Sequence, residues 1–588
     1  MPLLGALLEM QEEVARCMVP EERVMLLLCV SRAMRMTMER VRPALRVKPK
    51  HGQEIEWVEG GLRSIERWCR VTALDLACLG IRAEGARLLA AVFPQCTSLA
   101  HIDLGDNEIG ADGVKWLAVA LGHCSSLTHL NLENNQIEAA GAERLAAVLG
   151  QCTSLTHLDL RHNCIEAEGM ERLAVVLPQC PSIIHLDLQG NEIGAEGAGQ
   201  LAAGLPQCTS LAHLSLRDNE ISSEGARQLA AVLPQCMSLA HLDLGDNNIG
   251  VDGAGRLAAV LSKCMSLAHL DLRDHEHFLE DRHNGIGAQG AGLLAAVLPQ
   301  CKSLTHLDLG RNVIGAKGAG LLATVLPQCT WLANLDVSSN GVGAEGAELL
   351  AAVLPQCTSL SRLGIRYNGI GAEGARLLAA MLPQCKSLAY LDLDGNNIGA
   401  EGARWLAAML GLCVSLSRLD LGHNGVGAEG AELLAVVLPQ CPSLTHLDLG
   451  QNDIGAEGAG QLAAVLPQCT LLAHLALRRN NIGAEGAARL AAVLPQCTLL
   501  ARLHIGLASN GIGDEGARRL AAVLPKCPSL ANLDLYHNNI GPVGAGPLVA
   551  VLGQSPSLHH LDLRQNIIGA EVREQLQAAA AASLTLLV

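Results

Sequence analysis

Eleven histidines recur in one column of the chain: His101, His129, His157, His185, His213, His241, His269, His306, His446, His474 and His560. Most are followed two residues later by an acid, and that second column holds twelve aspartates, among them Asp103, Asp159, Asp187, Asp243, Asp271, Asp308, Asp392, Asp448 and Asp562. Imidazole beside carboxylate could bind a metal or sense pH, because a neighbouring carboxylate raises the histidine pKa above about 6.5. It could also serve a nucleophile as base and orienting acid. The regularity argues against each role: two straight columns supply no convergent tetrahedral ligand set, and exposed strands supply no pocket. The expectation is that His and Asp bond one another and separate like charges, with no metal, no cofactor and no catalytic residue.

Sixteen of the 21 cysteines also share one place, three residues before the next recurrence of a leading Leu or, once, Ile183. They run from Cys96 and Cys124 to Cys497 and Cys527. One position implies one environment, a small apolar slot at a helix-to-strand turn. With no CxxC pair, no Asn-x-Ser/Thr sequon and no basic leader, reduced thiols and a cytoplasmic or nuclear location are expected. No apolar run approaches the roughly 20 residues needed to cross a bilayer.

These columns follow from a repeat. Between Leu99 and Leu558 the same pattern restarts seventeen times, and the usual period is 28 residues. A unit this short cannot bury its own apolar face, so each copy uses its neighbours as core and the array grows as a solenoid. Positions 4 to 7 of each unit alternate apolar and polar, which predicts a strand with positions 4 and 6 buried and 3, 5 and 7 in solvent. Position 9 is Asn in every copy, Asn284 and Asn510 following local insertions. A buried Asn must bond backbone, so it is expected to form a ladder between turns. The run after Gly-Ala-Glu-Gly-Ala, as in 375–382, has helical spacing and stops at Pro383; Pro439 ends another. Trp116 and Trp405 share a helix position where core packing is the default expectation.

The pattern LxxLxLxxNxIGxxGaxxLaxxL resembles the ribonuclease-inhibitor class of leucine-rich repeats. It covers 71–588, about 18 repeats when 71–98 is counted as a divergent first copy with Leu79 in place of the Asn. The resemblance implies an α/β solenoid, a curved horseshoe with a parallel inner sheet and outer helices. Similar repeats occur in NOD-like receptors and Ran GTPase-activating proteins. No GxxxxGK[ST] loop accompanies them here, so an immune-receptor-type regulator would lack its nucleotide switch. No activating residue of the GTPase regulators maps onto this chain, and that activity remains the alternative reading.

Departures from the repeat mark the candidate contact surface. From the tenth copy to the twelfth the His column is replaced by Arg362, Tyr390 and Arg418, with Arg366, Tyr367 and Asp394 beside them. Tyr and Arg are enriched in binding hot spots. Tyr536, the third tyrosine, occupies an inner strand position far along the array. The seventh copy carries an insertion with His275, His277 and His283, expected to be a solvated loop anchored by Phe278 rather than a metal site.

Residues 1–45 lack the repeat and are expected to be helical, followed by a linker and cap over 46–70. Val19-Pro20 and Val30-Ser31-Arg32 resemble an F-box, whose family docks a Skp-type adaptor of a cullin ubiquitin ligase; Met34 stands where that family carries Trp. The alternative is a cap over the first edge of the array. Net charge is -16, and 1–70 carries +2, so the repeats carry -18. Such a surface repels phosphate backbones and argues against nucleic acid as a partner. The sequence therefore predicts a non-enzymatic protein-binding scaffold, with an F-box-type substrate receptor as its sharpest form. Oligomeric state is open.

Overall fold

A computed structural model describes residues 44–46, 72–96, 98–274, 284–500, 502–555, 557–580 and 584–588. The F-box-like stretch, most of the cap and the 275–283 insertion lie outside the described residues. The chain forms two units, Met1–Gly285 and Ile286–Val588.

Both units alternate one short strand with one helix. Among the described residues the first unit carries nine strands, from Ala44–Arg46 and Ala73–Asp75 to His269–Asp271, and the second carries eleven, from His306–Asp308 to Thr585–Leu587. Among the described residues the strand pairings are parallel, and within the repeats they join equivalent positions, as in Arg362↔Tyr390 and Tyr390↔Arg418. The sequence-predicted α/β solenoid is therefore the fold. Among the described residues the register shifts once, at a bulge between Leu503 and His504 in the fifteenth repeat, which carries an insertion.

Three forces build each turn. Positions 4 and 6 point into the core, where Leu391, Leu393, Leu419 and Leu421 are fully buried. Burying such a side chain is worth about 1.5–3 kcal/mol. The position-9 asparagine then ties consecutive turns together. Two backbone N–H groups of the preceding repeat, on Asn312 and Ile314, donate to Asn340 Oδ1 at 2.8 and 3.2 Å. Its Nδ2 donates to the carbonyls of Leu309, Val337 and Ser338 at 2.8, 2.9 and 3.1 Å. The expected ladder is present.

The third force is close helix packing. Helix Gly455–Val465 lies so near its predecessor, Gly427–Val437, that a Cβ on Gly458 would stand 3.0 Å from Ala431 Cβ and 3.1 Å from Ala428 Cα. Among the described residues every helix but Pro542–Val551 is entered through a left-handed residue, most often a glycine such as Gly371 at φ +63°. In most repeats the helix tightens into a single 3₁₀ turn of Leu-Pro-Gln, as at Leu382–Gln384, so proline ends the helix as expected.

The cysteine that follows turns its thiol back on the helix. Cys413 Sγ donates to the Met409 carbonyl at 3.3 Å, and the same bond recurs at Cys441 and Cys469. Burial pushes the Cys413 thiol up to about 11 and the Cys385 thiol to about 12, so neither forms thiolate readily. The packing expectation for two tryptophans fails. Trp116 and Trp405 are 44% and 40% exposed, because their position lies on the outer side of helices whose inner stripe is already filled by Leu and Ala.

Candidate partner-binding site

The sheet face built from positions 3, 5 and 7 carries the two columns, and the histidines do something other than bond aspartate. In the first unit they stack on each other: His129 and His157 have ring centroids 4.1 Å apart, His213 and His241 4.0 Å, and His241 and His269 3.9 Å. Parallel pairing at equal positions places identical rings one strand spacing apart, about 4.8 Å, so stacking prevails. The Nδ1 partner of His129, His157 and His446 is the preceding threonine hydroxyl at 2.7–2.9 Å. Each of those hydroxyls already donates its proton to a carbonyl of the previous repeat. The oxygen therefore accepts from Nδ1–H, and Nε2 of the neutral ring is left as an acceptor.

Burial in the stacked column, with neighbouring histidines, lowers the pKa of His129, His185, His213 and His446 instead of raising it. Burial, together with His269 and His213, pushes His241 down to about 4. His504 is held equally low, and it joins the column beside His474 because the insertion shifts it into the place that plain counting denies it. The unfolded chain binds a proton near 6.5, but folded His241 does not until about 4. Its stabilising contribution is thus present above that range and lost as pH falls through it. Asp187, raised to about 6 chiefly by burial, has the opposite sign, so the ring is best isolated by a variant. Thermal unfolding of the wild type should lose more Tm between about pH 7 and about pH 4.5 than that of His241→Gln. Equal slopes would show that the ring titrates normally.

Within the aspartate column, arginines from position 7 supply the counter-charge. Arg217 is buried among Asp243, Asp246 and Asp271 at 3.1, 2.9 and 3.2 Å. Burial works against its charge, and the three carboxylates outweigh that. Arg161 likewise bridges Asp159 and Glu133, each at 2.7 Å. Among the described residues no three His, Cys, Asp or Glu side chains converge as a metal-binding group.

The second unit brings six of the seven predicted contact residues together on three adjacent strands and the turns that follow them. Arg362 and Arg418 flank Tyr390, their Cζ atoms 4.4 and 4.8 Å from the ring centroid. The Tyr390 hydroxyl donates to Asp392 Oδ2 at 3.3 Å. Burial and then Asp392 push the phenol up to about 12, so it stays protonated. One turn further along, Arg366 lies over the Tyr367 ring at 5.5 Å, and Asp394 Oδ1 is 3.2 Å from His423 Nδ1. Tyr367 also reaches His423, its hydroxyl 3.4 Å from Nδ1.

One expectation is revised here. Asp392 and Asp394 are buried, although positions 5 and 7 were expected in solvent, because their carboxylates accept bonds from Tyr390 and His423. Tyr536 stands apart, four repeats on and 37% exposed, its N–H bonded to Asp534. Sequence reading missed His423 and Gly364. His423 sits just past the strand, on a left-handed turn where residue type varies freely. Gly364 replaces the position-5 aspartate beside Arg362, a gap visible in the column itself.

A chain of parallel strand-turn-helix units with an open, chemically varied sheet face is a repeat scaffold suited to protein–protein contact. It belongs to the leucine-rich repeat family, whose model matches fifteen segments: six spanning 95–258, seven spanning 300–491, then 503–521 and 526–549. Among solved structures it is similar to a chain in the complex of Rad7 and Elc1 in yeast, at 19% identity and a TM-score of 0.37, covering 67% of this chain and 83% of that one. No curated protein matches. Among the described residues no helix is long and apolar enough to cross a membrane.

Proposed function

We propose that the chain is a non-enzymatic interaction scaffold whose partner protein docks on the concave face of the sheet at Arg362, Tyr390 and Arg418. Arg366, Tyr367 and Asp394 line the same contact, and Tyr536 offers a second one. The observation that carries this reading is Tyr390 clasped between two guanidinium groups on a surface otherwise surfaced by His and Asp. Such an anchor is held in place before binding, and little side-chain entropy is lost when a partner covers it.

Truncating a central aromatic anchor typically costs about 2 kcal/mol of binding, a factor of about 30. Tyr390→Ala is therefore expected to weaken a partner captured by the full chain by that factor, whereas Trp405→Ala on the helix side leaves capture unchanged. Partners retained equally by both variants would place the contact elsewhere. The resemblance of residues 8–35 to an F-box supports a further assignment: a Skp-type adaptor bound at the leader, with the repeats presenting a ligase substrate. Copurification of such an adaptor with the full chain, abolished by deletion of 1–45, is the result expected. Stimulated GTP hydrolysis by a small GTPase would favour the alternative.

A further inference from the structure

We infer that Arg362 and Arg418 form a receptor for an acidic peptide segment, taking two carboxylates of an extended partner chain laid across the strands. This deepens the docking reading above and rests on it.

The inference starts from a contrast within the fold. Five arginines elsewhere on the sheet face are neutralised by the chain's own acids: Arg161 by Asp159, Arg217 by Asp246, Arg273 by Asp271, Arg478 by Asp448 and Arg564 by Asp562. Arg362 and Arg418 are exposed, lie over the Tyr390 ring and have no carboxylate within 4.0 Å among the described residues. Their nearest candidates have been removed or turned away. On the Arg362 strand the position-5 acid is Gly364, and a Cβ there would collide with the Asp336 carboxylate, which occupies that space. Asp392 accepts from Tyr390, and Asp394 from His423. Asp420, on the Arg418 strand, is driven up to about 7 by burial and by Asp448, so it carries only part of a charge near neutrality.

Two cations thus stay unspent in a protein of net charge -16. Arginine presents planar paired donors that match a carboxylate in bidentate fashion, and contact with an aromatic ring restrains the guanidinium without using those donors. The pairing Arg362↔Tyr390↔Arg418 puts the two backbones two strand spacings apart, about 10 Å, which an extended chain covers in about three residues. Carboxylates two or three residues apart on the partner can engage both.

The test uses the full chain and fluorescence anisotropy with labelled hexaglutamate, hexalysine and a hexapeptide carrying two phosphoserines. Hexaglutamate is expected to bind saturably, to weaken as salt is raised, and to lose at least tenfold affinity in the Arg362→Glu, Arg418→Glu double variant. Arg376→Glu, reversing an arginine already paired with Glu373 on a helix, should leave it unchanged. Lysine at both sites keeps the charge without the planar fork and should fall between. An unaltered unfolding midpoint in the double variant excludes a folding defect. No saturable hexaglutamate binding, equal binding of hexalysine, binding only to the phosphopeptide, or indifference to the double reversal would each overturn the proposal. If Tyr390→Ala still releases the cellular partner in that event, the docking site stands and only its chemistry is wrong.

Discussion

Asn340→Ala is expected to lower stability by about 4 kcal/mol, far more than its loss of buried surface explains. Asn340 is 2% exposed, and its amide oxygen is the acceptor for the backbone N–H groups of Asn312 and Ile314. Removing it orphans both donors inside the stack, and each buried unsatisfied group costs about 1–3 kcal/mol. Asn340→Asp should be at least as damaging. It keeps an acceptor but loses the donor to Leu309, Val337 and Ser338, setting a carboxylate against three carbonyls. Because each repeat contacts only its neighbours, amide exchange should accelerate most around Asn312 and Ile314. Urea titration measures the total, and a loss below about 1 kcal/mol would mean that water replaces the amide at little cost.

The second large effect concerns two glycines two residues apart on one helix. Gly458→Val is expected to destabilise by about 3 kcal/mol, because its side chain must enter space bounded by Ala428 Cα, Ala431 Cβ and Ile454 Cγ2. Backbone sits on one side of that space, so it cannot yield. Gly460→Ala meets only the flexible end of Arg489, its Cδ 2.6 Å away. Arg489 can swing aside, and the gain in helix propensity of up to about 1 kcal/mol should make this variant neutral or slightly stabilising. Thermal or urea unfolding of the pair decides it. The same sign at both sites would show that helix spacing is elastic.

Parallel strands, helices, the proline stops and the asparagine ladder were legible from residue types at fixed offsets, since a repeat forces every copy into the same environment. Side-chain partnership was less legible. Adjacent histidines and aspartates on one strand suggested mutual bonding, but the strand spacing sets each histidine against its own copy in the next repeat, which periodicity hides. The Arg-Tyr-Arg cluster was visible as a break in a column. That Tyr390 would lie between its two neighbours follows from strand register. His423 escaped notice because it reaches Asp394 from a turn, outside the alternation that flags strand residues.

Five of the ladder asparagines, Asn284, Asn340, Asn368, Asn424 and Asn510, are followed directly by glycine. In a relaxed chain the glycine nitrogen can attack the asparagine side-chain carbonyl and expel ammonia, giving a cyclic imide that water then opens to an acid where each turn requires an amide. Here the amides are fastened on both ends, so this chemical clock stops while the turns stay stacked. It starts wherever one opens, and a single lapse in stacking becomes a permanent mark that prevents that turn from closing again.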